Sequence, residues 1–356
     1  VALIIVMMFL VVLGILAGKF AYSMKVEAKL ARNASSEVEL QWMGRSGVEY
    51  ARWILGQPKK EPFDSLNQIW AGGPGSMDDT NSPLADVRLD QPIEFGNGKF
   101  TVKITDLERK VNLNLARNPA QGESMLQQAF TIMGVDAAET SGLTSSILDW
   151  IDQDDAIRVG GAEKEYYQGL EPPYNAKNGP VDEMSELLLV KGITPELLWG
   201  AGGSGVENPG HRIAAFQAKQ HGRSGFGEGR GYTVGLADLF CTMSLGKINV
   251  NTASASVLQM VPAINESMAA EIIKLRAGMD GVDGTEDDVP FRSVSQMAHA
   301  GLPQQAQGML AQMCDIRSAT FEVVVNAEVN GYSRQFVSVL RRNAPKDVQM
   351  LTFTWR

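Results

Sequence analysis

The chain has 356 residues, 44% of them hydrophobic and 21% charged, enough apolar material for two or three compact units and not the composition of a disordered chain. A formal net charge of −9 argues against an electrostatic nucleic-acid binder, because phosphate affinity comes from clustered Lys and Arg. Basic partners or cations suit it better. Cys241 and Cys314 show no CxxC or metal-ligand spacing, which leaves either one disulfide or two buried thiols.

From Val1 to Gly18 ("VALIIVMMFLVVLGILAG") no side chain is charged. At about 1.5 Å per residue such a helix spans roughly 27 Å, close to a bilayer core. Lys19, Lys25, Lys29 and Arg32 follow at once, which favours a membrane anchor over a buried core helix. The apolar segment is retained and does not start with Met, so a removed leader whose basic residues set the orientation is expected. Over 19–56 the helix continues amphipathically, with Leu40, Met43, Gly47, Tyr50 and Ile54 at spacings of three and four. The stretch 57–111 begins as a Pro/Gly/Asn/Asp-rich connection ("GQPKKEP", "AGGPGSMDDTNSP") and ends in a strand, Phe100, Val102 and Ile104 alternating with polar residues.

From 112 to 315 the pattern is mainly helical, as expected of a helical domain inserted into a sheet domain. Two segments echo each other, "KVNLN" at 110–114 and "KINVN" at 247–251, each leading into a pair of apolar helical stretches that resembles a helix-hairpin-helix unit. "LVKGITPELL" has a similar form around Gly192. A turn that cradles phosphate needs glycines, whereas "VPAINES" has Ala263 and Asn265 there. Structural reuse of the hairpin is therefore preferred to DNA binding. "GAGGSG" at 200–205 formally satisfies GxGxxG but lacks a preceding strand, and the whole of 200–231 is predicted to be a Gly-rich loop.

Acidic residues cluster twice within this region. "DWIDQDD" supplies Asp149, Asp152, Asp154 and Asp155, with Glu163 soon after, and "DGVDGTEDD" supplies Asp280, Asp283, Glu286, Asp287 and Asp288. Carboxylates this dense repel one another, and a hard cation such as Ca²⁺ would relieve that repulsion. Neither has EF-hand spacing, and the alternative is a solvated acidic loop with a carboxylate capping a helix. HExxH and GxSxG are absent, so no enzyme is expected.

The last segment, 316–356, reads as antiparallel strands. Phe321, Val323, Val325 and Ala327 alternate, Asn330-Gly331 turns the chain, Val337 and Val339 alternate again, and Leu351, Phe353 and Trp355 share a face of a third strand. One face of this sheet is expected to pack on the amphipathic part of the N-terminal helix.

Taken with the apolar start, the paired "KVNLN" and "KINVN" and "DGVDGTEDDVPF", the run "DWIDQDDAIRVGGAEKEYYQGLEPPYNAKNGPVDEMSELLLVKGIT" resembles the K-type minor pseudopilins of bacterial type II secretion systems. The resemblance implies an α+β pilin-like fold, a long N-terminal helix on an antiparallel sheet, with a large calcium-binding α-domain inserted. It implies a prepilin peptidase substrate with a methylated amine on Val1, anchored once in the inner membrane with its soluble part in the periplasm. Ile5 stands where most pilin-like subunits carry a Glu that pairs with a neighbour's N-terminus; this implies a tip subunit above I-type and J-type partners and the other pseudopilins. A subunit of a related type IV pilus-like machine and a membrane-anchored helix-hairpin-helix DNA receptor are the alternatives.

Overall fold

One unbroken helix, α1 (Ala2–Leu55), opens the chain in a computed structural model that describes residues 2–75, 83–200, 232–302 and 306–355. Its 54 residues correspond to about 81 Å. The N-terminal half lies free of the rest of the protein: its apolar window has a mean hydropathy of 2.7 and none of it is buried. It is the one described helix long and apolar enough to cross a membrane. Ile5 sits on this bare surface. The C-terminal half is different, burying Leu40, Met43, Val48, Ala51 and Ile54. Gly44 and Gly47 make that contact close, since a Cβ on either would run into Phe336 or Val325.

The opposing surface is a five-stranded antiparallel sheet ordered β1 (Ile93–Phe95), β2 (Gly98–Asp106), β7 (Thr320–Val329), β8 (Tyr332–Ala344), β9 (Asp347–Trp355). In β7 the residues Phe321, Val323, Val325 and Ala327 all point into the core, as strand alternation requires. Burying each large side chain of this face contributes about 1.5–3 kcal/mol. Asn330 (φ 51°) and Gly331 (φ 80°) form the two-residue turn into β8, where both turn residues take the left-handed conformation. The third strand departs from simple alternation. Val339 faces Thr352 but Leu340 faces Met350, so Leu351 falls at an irregularity, and Trp355 on this edge strand is 56% exposed.

β2 and β7 pair along their full length, from Gly98 with Val329 to Asp106 with Phe321. Everything from 107 to 319 therefore leaves and returns between two neighbouring strands. That excursion has its own hydrophobic core, separate from the core between α1 and the sheet.

Buried charge fastens the two crossings. Asp106 accepts hydrogen bonds from Thr252 Oγ1 and Ser318 Oγ, both at 2.5 Å, and from Asn249 Nδ2 at 3.3 Å. Glu108 accepts from the amides of Thr320 (2.8 Å), Ala319 (3.1 Å) and Leu245 (3.1 Å). Asp64 is held by Arg342 Nη2 and the Ser318 amide, each at 2.9 Å, and by Lys59. Burial, then the neighbouring Glu108 charge, pushes Asp106 up to about 7, and burial brings Lys59 down to about 8.

Inside the excursion the two echoed segments make the same contacts. β3 (Val111–Asn112) pairs in parallel with β4 (Phe240–Cys241), and β5 (Ile248–Asn249) with β6 (Cys314–Asp315). Lys110 Nζ reaches the Ala237 carbonyl at 2.7 Å, as Lys247 Nζ reaches that of Ala311 at 2.8 Å. Asn114 exchanges hydrogen bonds with the Val181 backbone, as Asn251 does with that of Phe291. Cys241 and Cys314 thus close two separate ladders, and both are buried free thiols. This corrects the disulfide alternative: each sulfur belongs to its own half of the repeat.

Candidate metal centre

The first repeat contributes helices α2 (Gly122–Met133) and α3 (Ala137–Ile151). Asp136 caps α3 by accepting from the Ala138 amide, and Leu143, Ile147 and Ile151 bury its inner face. Asp149 lies in the last turn and Asp152 is the C-cap. Negative charge is unfavourable at a helix C-terminus, where the carbonyls already present a partial negative charge. The chain then turns back through Gly160 (φ 83°) and Gly161 to Glu163, the residue preceding α4 (Lys164–Gln168). A Cβ on Gly161 would collide with the Asp149 carboxylate, so glycine permits this approach. Lys191 holds the turn from outside through the carbonyls of Gly161 (2.9 Å) and Gly160 (3.3 Å).

Asp149, Asp152 and Glu163 offer carboxylate oxygens that all lie within 4.8 Å of one another. Asp149 is fully buried and accepts from the Ala162 amide at 2.9 Å, the Arg158 amide at 3.2 Å and Arg158 Nη1 at 2.8 Å. The same Nη1 bonds Asp152 Oδ2. Glu163 is only 4% exposed, yet neither of its carboxylate oxygens, nor Asp152 Oδ1, has a hydrogen-bond partner among the described residues. Burial, then the charges of Asp149, Asp152, Asp155 and Asp154, pushes Glu163 up to about 7. An unpaired buried carboxylate is costly, and an oxygen-rich pocket with three unused acceptor atoms fits a hard divalent cation.

The other carboxylates named from the sequence do not join this group. Asp154 accepts from the Ala156 amide at 2.9 Å and Asp155 from Asn178 Nδ2 at 2.9 Å. In the second acidic loop Asp280 accepts from the Val282 amide, Asp288 from that of Gly284, and Asp287 from those of Met279 and Asp280 and from Thr285 Oγ1. Asp283 forms a two-bond pair with Arg276, at 2.9 and 2.7 Å, and Glu286 is exposed. Among the described residues, no group of three carboxylates converges there. Arg158 was not singled out from the sequence. The signal for it was present, as the one base between "DWIDQDD" and "GGAEKE".

The candidate centre falls within residues 109–199, which match the family described as type II secretion system, protein K. That match covers the first part of the inserted domain. Residues 244–287, the second repeat, match the helix-hairpin-helix motif. Type II secretion system protein K of Aeromonas hydrophila is 27% identical over 212 residues, covering 55% of this chain and 59% of the relative. That of Pectobacterium carotovorum is 31% identical over 110 residues, covering 28% and 34%. The chain thus spans no more than about three fifths of these relatives' own length. A chain in the crystal structure of the GspK–GspI–GspJ complex from the enterotoxigenic Escherichia coli type 2 secretion system superposes with a TM-score of 0.63 at 18% identity, covering 92% of this chain and 99% of that one. The α+β pilin-like fold with its helical insertion, expected from the sequence, is borne out by that likeness. Val1 and the Gly-rich stretch 201–231 lie outside the described residues.

Proposed function

We propose that the chain is a minor pseudopilin that helps to initiate the periplasmic pseudopilus of a type II secretion system as its tip subunit, and that it works by assembly rather than catalysis. The observation that carries this is the protein K domain placed between two paired strands of a pilin-like sheet, at the far end of an apolar helix. The exposed half of α1 anchors the subunit in the inner membrane and later packs among the helices of I-type and J-type minor pseudopilins, the partners with which the E. coli structure was crystallised. Ile5 in place of a carboxylate suits a subunit with no neighbour above it, and the bulky insertion obstructs further addition. A prepilin peptidase would process such a subunit ahead of its apolar helix.

Asp149, Asp152 and Glu163 would hold Ca²⁺, which supplies positive charge at the C-terminus of α3 and ties that helix to the returning 158–163 turn. Such linkage stabilises the folded domain by an amount that grows with the logarithm of the free Ca²⁺ concentration above its dissociation constant. The helix-hairpin-helix match does not favour DNA binding. Asn265 caps the second helix, Glu266–Arg276, by accepting from the Met268 amide, and Glu266 adds negative charge in its first turn, where phosphate would have to bind.

Affinity capture of the tagged chain from bacterial membranes should recover I-type and J-type pseudopilins. Recovery of type IV pilus subunits instead would transfer the chain to that related machine. Gold-labelled chain should mark one end of assembled pseudopili, and labelling along their length would contradict the tip assignment.

A further inference from the structure

Arg158 stands out within the candidate centre because it is the only cation the described residues place there, and it bonds the two aspartates through a single nitrogen. Its backbone amide and that of Ala162 also bind Asp149, so the turn wraps around that carboxylate. Its side chain is 39% exposed, whereas those of Asp149 and Asp152 are 0% and 17% exposed. The guanidinium therefore lies on the solvent side of the pocket, over acceptors that lie deeper. Glu163, 4% exposed, receives no hydrogen bond from it or from any other described residue.

We propose that Arg158 is a built-in, displaceable counter-ion: it occupies the cation position between Asp149 and Asp152 in the metal-free protein and swings into solvent when a divalent cation is bound by Asp149, Asp152 and Glu163. This rests on the calcium reading above and deepens it by assigning the residue that sets affinity. One positive charge cannot balance three carboxylates, and a guanidinium with its hydrogen atoms is too large to sit where all three converge, which leaves Glu163 unsatisfied. A compact divalent ion meets all three. Arg158 thus has two opposing effects: it keeps the pocket shaped before loading, and it competes with the metal for the same oxygens. A site with such a competitor binds more weakly than its carboxylates alone would.

The test is calcium titration by calorimetry on the purified full-length chain in detergent, comparing wild type with Arg158→Gln, together with metal-free thermal melts. Arg158→Gln is expected to bind Ca²⁺ on the order of tenfold more tightly and to melt at a lower temperature without metal. Unchanged or weakened binding by a folded Arg158→Gln overturns the counter-ion role while leaving the calcium site standing. If the wild type binds no Ca²⁺, both readings fall together. A measurement on the unmodified protein guards against misfolding of the variant: phenylglyoxal labelling followed by peptide mass spectrometry. Modification of Arg158 should be several-fold faster with Ca²⁺ than with chelator, and equal or slower modification with Ca²⁺ overturns the proposal.

Discussion

Two acidic loops, each following a helix of a repeated unit, have met the same electrostatic problem in different ways. In 280–288 the carboxylates are spent internally: backbone amides and Thr285 serve Asp280, Asp287 and Asp288, and Arg276 serves Asp283. In 149–163 three carboxylates, Asp149, Asp152 and Glu163, face one another, and Glu163 and one oxygen of Asp152 are left without donors among the described residues. Density of charge in the sequence therefore does not mark a cation site. The proposal of a cation site rests instead on unused acceptors in a buried pocket, which are costly to leave empty.

Breaking the internally balanced loop should have the largest effect. Arg276 is nearly buried, donates to the Val250 carbonyl at 2.6 Å and pairs with Asp283. Arg276→Ala should cost about 3–5 kcal/mol, the range for stranding one partner of a buried pair, seen as a lower midpoint in chemical denaturation at unchanged calcium response. In the first loop the effect of removing the Glu163 carboxylate should appear only with metal. At a hundredfold excess over the dissociation constant, Ca²⁺ should add about 2.7 kcal/mol to the wild type. Glu163→Gln should abolish that gain while leaving the metal-free melt unchanged or raised, since it removes an unpaired buried charge. The smallest change is expected from Asp287→Asn, which keeps an acceptor oxygen at a half-buried position and should shift stability by about 1 kcal/mol or less.

A third buried carboxylate provides a control for both loops. Asp106 has its pKa raised to about 7 in the folded protein from the ordinary 3.8, so the native state holds its proton more tightly than the unfolded chain does. Its contribution to stability is then fully present below the unfolded pKa and lost as pH rises through the folded one. Asp106→Asn lacks that proton equilibrium, so its stability relative to wild type should rise between pH 4 and pH 7. A flat difference across that window would show that the clasp holds Asp106 ionised throughout.

Much of the fold was legible because it rests on periodicity. The alternation of Phe321, Val323, Val325 and Ala327 and the Asn330-Gly331 turn each carry their structure locally. The "KVNLN" and "KINVN" echo was also visible, although the matched Lys and Asn contacts run to carbonyls and amides far along the chain, Ala237 and Val181 in one copy and Ala311 and Phe291 in the other. The irregularity at Leu351 was not legible, since it depends on register with β8. The candidate metal centre was legible only as a neighbourhood. Asp149, Asp152 and Glu163 converge because Gly160 and Gly161 turn the backbone against α3, and nothing in the spacing distinguishes them from Asp154 and Asp155, which find partners elsewhere. The clasp joins Asp64 to Arg342 across 278 positions, a separation over which a single sequence carries no pairing signal.

The most direct measurement is a calorimetric Ca²⁺ titration of the full-length chain alongside Glu163→Gln and Asp287→Asn. The account predicts saturable binding in the wild type, lost in Glu163→Gln and retained in Asp287→Asn. Binding that survives Glu163→Gln and disappears in Asp287→Asn would contradict it, and so would a wild type that takes up no calcium at all.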